Sequence, residues 1–158
     1  MKHLFLFWEK NFLFYELFLS VLIWTIALGW FWYIGFSSLL DLLYNNRSTL
    51  YGTLASIFAT LLGFSITAIS IVLGFISSER FTIVREGKHY SDLWKVFSSS
   101  IYSLGAATIS SLVALVFDKD NSPYPVLFWV VFFCFIISCF RIWRVVWILE
   151  KIVKISQK

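Results

Sequence analysis

Charged residues are scarce in this sequence. Asp, Glu, Lys and Arg make up 14% of the 158 residues, whereas 59% are hydrophobic; soluble domains carry about 25% charged residues. The mean hydropathy is +0.82. A chain of this length suits one domain, but its apolar surface is too large to be hidden from water. The composition therefore argues against a soluble globular protein and predicts that a lipid bilayer surrounds the chain.

Histidine and cysteine are also rare, and their scarcity narrows the possible functions. His3 and His89 are far apart, and Cys134 and Cys139 lie five positions apart in one apolar stretch. Metal sites need clustered His, Cys or carboxylates, so we expect no metal and no cofactor. The cysteines are interpreted as small hydrophobic residues without a disulfide. No GxGxxG or phosphate-loop pattern occurs, and we do not expect an enzyme.

Long stretches without any charge give the positions of the membrane spans. A hydrocarbon core about 30 Å thick needs roughly 20 helical residues. The runs are too long and too uniformly apolar for the strands of a membrane β-barrel. We therefore predict an all-α polytopic membrane protein with residues 1–158 in a single transmembrane domain. Its four predicted transmembrane helices cover about 17–40, 50–78, 96–117 and 125–142.

The two ends of the chain differ from the spans. Lys2, Glu9 and Glu16 recur every seven residues among Leu, Phe, Trp and Tyr, which predicts an N-terminal interfacial helix leading into the first span. An early start of that span is the alternative. The last helix is predicted to extend into the cytoplasm, where Arg141, Arg144 and three lysines suit anionic headgroups.

The distribution of positive charge predicts the orientation. Of the 13 Lys and Arg residues, 11 lie in the N-terminal segment, the middle loop and the C-terminal tail; only Arg47 and Lys119 lie in the other two loops. Positive residues concentrate on the cytoplasmic side. We therefore expect the bacterial inner membrane, with both termini cytoplasmic, and no nucleic-acid partner, because this bias already explains the net charge of +4.

Small residues recur at the helical period of about 3.6 along the second span and continue in the third. Small residues let helices approach closely in lipid, within one subunit or between subunits, whereas their hydroxyls grouped around an axis would line a pore. Both interpretations remain open. The first and fourth spans are bulky and aromatic and are predicted to meet lipid. The candidate pore or helix-packing positions are Gly52, Ser56, Ala59, Gly63, Thr67, Ser70, Gly74 and Ser77, with Ser99, Ser103 and Ser110 in the third span.

No charged residue lies in the middle of any predicted span, which disfavours a proton-coupled transporter. A gate in any pore would instead be hydrophobic, with Phe58, Phe64 and Ile71 as candidates. The middle loop is a candidate regulatory surface for a phosphate on a lipid, nucleotide or protein partner, and ordinary positive-inside charge paired with nearby carboxylates is the alternative. Its basic residues are Arg80, Arg85, Lys88 and His89.

Two short motifs resemble a known family. Tyr51–Thr53 (YGT) opens an apolar helix, Val84–Glu86 (VRE) precedes Tyr90, and a third span follows. This arrangement resembles the small four-span phage-exclusion membrane proteins of the Rex type. The resemblance covers about residues 50–117, and the serine cluster at 98–100 departs from it. It implies an ion channel that depolarises the cell membrane during phage infection, and it transfers no catalytic residue.

Together these patterns predict a homo-oligomeric small inner-membrane protein that acts as an ion-conducting or membrane-permeabilising channel, with phage defence as its setting. The alternative is a non-conducting membrane subunit or scaffold. Such a scaffold would bind a cytoplasmic protein or an anionic ligand through the basic loop and tail.

Overall fold

Four long α-helices make up most of the described chain. The computed structural model describes the backbone of residues 2–35, 43–76, 89–120 and 122–156, and the side chains of 12–33, 43–74, 94–120 and 122–150. The helices are α1 (Lys2–Ile34), α2 (Arg47–Ile76), α3 (His89–Phe117) and α4 (Pro125–Ser156). Each is long and apolar enough to cross a membrane. The prediction of an all-α protein with four candidate membrane-spanning helices is confirmed.

The helices are longer than a bilayer core requires. They contain 33, 30, 29 and 32 residues, or about 44–50 Å each at 1.5 Å per residue, against about 30 Å of hydrocarbon. Helix α1 runs without interruption from the N-terminal segment, which mixes charged and aromatic residues, into the first apolar stretch. All four helices must therefore tilt or project beyond the hydrocarbon. The apolar windows within them are Phe12–Tyr33, Arg47–Gly74, Trp94–Phe117 and Pro125–Glu150.

Helix α3 lies between two neighbours, because it packs against both α2 and α4, while α4 in turn packs against α1. The buried residues of α3 recur at intervals of three and four and form one stripe along the helix. Many of them are small, so neighbouring backbones can approach closely. The buried positions of α3 are Val96, Phe97, Ser100, Leu104, Ala107, Ser111 and Ala114.

One apolar cluster joins all four helices near the N-terminal end of α1. Its members are Phe12 of α1, Ile69 and Val72 of α2, Val96 and Phe97 of α3, and Val145 of α4. At the middle of the bundle, Phe58 of α2 packs against Leu104 and Ala107 of α3. The large side chains of α2 therefore fill the space that the small residues of α3 leave.

Aromatic side chains hold α1 against α4 at the opposite end. The Trp24 indole lies edge-to-face on Trp129, with ring centroids 6.3 Å apart, and its Nε1 donates a hydrogen bond to the Trp129 carbonyl at 3.0 Å. Phe31 packs on the same Trp129 ring at 5.7 Å. Part of the bulk of the first and fourth spans, which are predicted to meet lipid, therefore forms the contact between α1 and α4, whereas other large side chains such as Phe18 and Val130 are exposed.

Candidate functional site

The small residues of the second span lie on the outside of the subunit. We call Gly52, Ser56, Ala59, Gly63, Thr67, Ser70 and Gly74 the α2 stripe; Ser77 lies outside the described residues. Gly52 is half-buried and the other six are exposed. A Cβ built on Gly52, Gly63 or Gly74 would meet no atom within 4 Å. The α2 stripe therefore does not pack α2 against α3 within one subunit.

A different face of α2 makes that contact. Its buried residues are Tyr51, Ala55, Phe58, Ser65, Ile69 and Val72. Most of the stripe follows this face by one position, which corresponds to a rotation of about 100° around the helix. Both faces have the helical period, so the sequence pattern alone does not distinguish the buried face from the exposed one.

The hydroxyl groups along the exposed side of α2 donate to their own helix. Thr67 Oγ1 donates to the Gly63 carbonyl at 2.9 Å, and Ser70 Oγ donates to the Ile66 carbonyl at 2.8 Å. Such hydrogen bonds satisfy the hydroxyl proton without a second helix. The oxygen lone pairs remain able to accept hydrogen bonds or to face a cation.

The small residues of the third span have different surroundings. Ser99, Ser103 and Ser110 are half-buried, and the Ser103 carbonyl accepts a hydrogen bond from Ser138 Oγ of α4 at 3.3 Å. Ser103 therefore contributes to the contact between α3 and α4. The exposed candidates for a subunit interface belong mainly to α2.

The three candidate gating residues differ in their exposure. Phe58 is 2% exposed and its ring lies 6.2 Å from that of Phe135, so it is a core residue and the proposal that it gates a path along the stripe is wrong. Phe64 and Ile71 are exposed, at 67% and 54%.

In the candidate regulatory surface, Arg80, Arg85 and Lys88 lie outside the described residues, and His89 is described only as the first residue of α3.

A buried ion pair that the sequence analysis missed joins the start of α2 to the end of α3. Asp118 accepts hydrogen bonds from Arg47 Nη1 at 2.5 Å, from Tyr51 Oη at 2.5 Å and from the Tyr124 backbone N–H at 2.7 Å. Arg47 and Asp118 are 3% and 2% exposed, and Tyr51 is fully buried. Both oxygens of the carboxylate thus accept hydrogen bonds from the protein, and the ion pair fixes α2 to the connection between α3 and α4.

A second carboxylate extends this cluster toward the surface. Asp120 Oδ1 lies 3.4 Å from Arg47 Nε and accepts a hydrogen bond from the Asn45 backbone N–H at 3.3 Å. Asn45 has a φ of 61°, a left-handed conformation that Asn adopts more readily than most residues. A cleft of about 430 Å³ opens beside it, lined by Tyr44, Asn45, Arg47, Ser48, Leu115, Asp118, Lys119 and Asp120.

A second charged cluster lies at the other end of the bundle. Glu16 of α1 pairs with two arginines of α4: Arg144 Nε contacts Glu16 Oε1, and Arg141 Nη1 lies 3.1 Å from Glu16 Oε2. The Arg144 guanidinium also stacks over the Phe12 ring, 4.3 Å from its centroid. The expectation that Arg141 and Arg144 lie exposed on one side of the last helix together with the tail lysines is corrected, because both are buried against Glu16.

Comparison with known protein families, with curated proteins and with solved structures gives no match. The molecule's own geometry therefore defines its class. Four long apolar helices pack in one bundle, with a buried charged cluster at each end and a bare face along α2. This is a helical membrane protein with four candidate membrane-spanning helices.

Proposed function

We propose that this protein assembles with copies of itself along the α2 stripe and that the assembly conducts ions or permeabilises the membrane. The exposure of the stripe in a single subunit carries this proposal, because glycines with open space over them let a second backbone approach closely. Lipid tails are as apolar as Leu or Phe side chains, so helices associate in membranes through such close contacts.

A conduction path would lie between subunits. The axis of the described bundle is occupied by large side chains, among them Phe58, Phe97 and Leu104, all 2% exposed or less. Along the stripe, by contrast, Thr67 and Ser70 keep hydroxyl oxygens whose protons are already bonded to the helix. Oxygen atoms that can only accept favour cations over anions.

A non-conducting scaffold is the second candidate function. The same hydrogen bonds within α2 favour it, because a stripe whose donors are satisfied needs no water and can pack dry against another helix. Such a scaffold would bind a cytoplasmic protein or anionic ligand through its basic loop and tail. The resemblance to the Rex-type proteins supports the conducting function and a role in phage defence.

We further propose that the protein lies in the bacterial inner membrane with both termini in the cytoplasm. The location of 11 of the 13 Lys and Arg residues on one predicted side supports this orientation. Residues 2–11, which precede the apolar window of α1, would then lie at headgroup level, and the part of α4 beyond the end of its apolar window at Glu150 would extend into the cytoplasm.

Cysteine labelling tests this orientation. In a background with Cys134 and Cys139 replaced by Ser, Asn46→Cys is expected to react with a membrane-impermeant thiol reagent in intact cells. Arg85→Cys is expected to react only after the cells are opened, because the positively charged loop is retained inside. Labelling of Arg85→Cys in intact cells would reverse the proposed topology.

Conduction is tested with a charge placed on the stripe. Thr67→Asp is expected to insert into the membrane and to increase cation selectivity in planar-bilayer recordings, because water in a path would solvate the carboxylate. Leu19→Asp is the matched control: Leu19 is also exposed, and each residue lies seven positions inside the same end of the bundle, counted from Gly74 and Phe12. Facing lipid, this Asp should meet an insertion cost of up to about 2.5–3.5 kcal/mol, the cost of an Asp at the centre of a helix.

The two variants distinguish the candidate functions. A path along the stripe is supported if the wild-type protein carries a current, if Thr67→Asp changes the ion selectivity of that current, and if Leu19→Asp inserts poorly. If the wild-type oligomer carries no current at any voltage and both variants insert equally poorly, the stripe contains no water and the scaffold function replaces the channel.

A further inference from the structure

The cluster of Glu16, Arg141 and Arg144 contains more positive than negative charge. All three side chains are strongly buried, with relative exposures of 7% for Glu16, 8% for Arg141 and 11% for Arg144. Arginine stays protonated under all ordinary conditions. Among the side chains that the structure describes, one carboxylate lies between two guanidiniums, so one buried positive charge has no counterion in this cluster. Uncompensated buried charge is costly, by several kcal/mol per ion.

Hydrogen-bonding groups of the cluster also lack partners. Within the described part of the chain, Arg141 Nε and Nη1 and Glu16 Oε2 are buried without a hydrogen bond. Although Arg141 Nη1 lies 3.1 Å from Glu16 Oε2, the two atoms attract by charge without the alignment of a hydrogen bond. Glu16 thus accepts a hydrogen bond from Arg144 but not from Arg141 Nη1, and the N–H groups at Nε and Nη1 of Arg141 could donate to another acceptor.

The depth of the cluster matches the edge of the bilayer. Glu16 lies four residues inside the start of the α1 window, and Arg144 lies six residues inside the end of the α4 window, so both are within about 6–9 Å of those limits. The windows contain 22 and 26 residues, or about 33–39 Å, which exceeds a hydrocarbon core of about 30 Å. If each window is centred on such a core, the Cα atoms of Glu16 and Arg144 lie about 4.5 Å inside the hydrocarbon edge, a distance that the long side chain of arginine can span toward the headgroups.

We propose that Arg141 and Arg144 form a binding site for a phosphate group at this end of the bundle. A phosphate would neutralise the remaining positive charge and, once the Arg141 side chain turns so that its covered Nε and Nη1 atoms become accessible, would accept the hydrogen bonds that they lack. The phosphate belongs to an anionic lipid headgroup or to a free phosphate-bearing solute. Basic sites between membrane helices on the cytoplasmic side recognise such headgroups. This inference is independent of whether the assembly conducts ions.

Thermal unfolding of the purified full-length protein in detergent tests the site. Phosphatidylglycerol, phosphatidylcholine and inorganic phosphate are titrated separately, and the apparent Kd is taken from the concentration dependence of Tm. The wild type is expected to be stabilised by phosphatidylglycerol and not by phosphatidylcholine. Arg141→Gln should bind phosphatidylglycerol roughly tenfold more weakly, or by about 1.4 kcal/mol. Lys154→Gln, which removes the same charge from the same helix, should bind like the wild type.

Glu16→Gln provides the decisive second variant, because it makes the net charge of the cluster more positive, whereas Arg141→Gln makes it less positive. Removing the carboxylate adds one uncompensated positive charge, so this variant should bind phosphatidylglycerol roughly tenfold more tightly. A purely structural ion pair predicts only lower stability for both Glu16→Gln and Arg141→Gln, with no change in lipid affinity. The test therefore remains valid even where Arg141→Gln fails to fold.

The titrants identify the source of the phosphate. A response to phosphatidylglycerol alone assigns the site to a lipid, and a response to inorganic phosphate as well shows that it is open to solutes. Equal responses to phosphatidylglycerol and phosphatidylcholine, or equal weakening in Arg141→Gln and Lys154→Gln, would overturn the proposal, as would unchanged affinity in Glu16→Gln.

Discussion

Gly63→Leu is expected to separate the oligomer into folded single subunits. A Cβ at Gly63 meets no atom of its own subunit within 4 Å, so the larger side chain should not disturb the bundle. Between two copies packed along the α2 stripe, however, a leucine would hold the backbones apart. A gap of 0.5–1 Å already removes about a quarter to a half of the van der Waals attraction, and a leucine opens a wider one.

Gly29→Leu is the matched control for this experiment. Gly29 lies on α1, is exposed, and also has open space over it, but it belongs to no stripe of small residues. Light scattering after size exclusion in detergent should show subunit mass for Gly63→Leu and unchanged oligomer mass for Gly29→Leu, with equal helical content by circular dichroism. An intact Gly63→Leu oligomer would mean that the stripe faces lipid.

Arg47→Met is expected to destabilise the subunit by about 3–5 kcal/mol, because it leaves the Asp118 carboxylate buried beside an apolar group. Asp118 is 2% exposed, and its remaining bonds come from the neutral groups of Tyr51 and Tyr124. The free energy of unfolding, measured by titration with a denaturing detergent under circular dichroism, gives the size of the effect.

Two further variants make this interpretation specific. Lys119→Met removes a neighbouring positive charge that is exposed, and it should change stability by no more than about 0.5 kcal/mol. Adding Asp118→Asn to Arg47→Met removes the unpaired charge and should recover part of the loss. If Arg47→Met and Lys119→Met destabilise equally, the buried pair does not hold α2 in place.

The sequence was sufficient to find the four apolar helices, because a charge-free run of helical length is a local property. It was not sufficient to find which helix faces meet. Arg47 and Asp118 are 71 positions apart, and Glu16 and Arg144 are 128 apart. Pairing over such separations depends on how each helix rotates about its axis, and no local pattern in one sequence encodes that rotation.

For the α2 stripe, too, the sequence did not show which face of the helix is buried. The helical period of the stripe was evident from the glycines and serines. Whether the stripe faces the interior or the outside of the subunit was not, because the neighbouring face beginning at Tyr51 has the same period. The bulky face turned inward because α3 presents small residues such as Ala107 and Ala114 to it. The assignment of Phe58 to a gate was wrong for that reason: large residues on α2 fill the core.

The long separation between Glu16 and its arginines also has a consequence during synthesis. Ribosomes add about 5–20 residues per second, so the 128 positions between Glu16 and Arg144 correspond to about 6–26 s. Throughout that interval the Glu16 carboxylate lacks the Arg144 guanidinium. The pair forms only after α4 has been translated, so a chain that stops before α4 has neither of the two guanidiniums that neutralise Glu16.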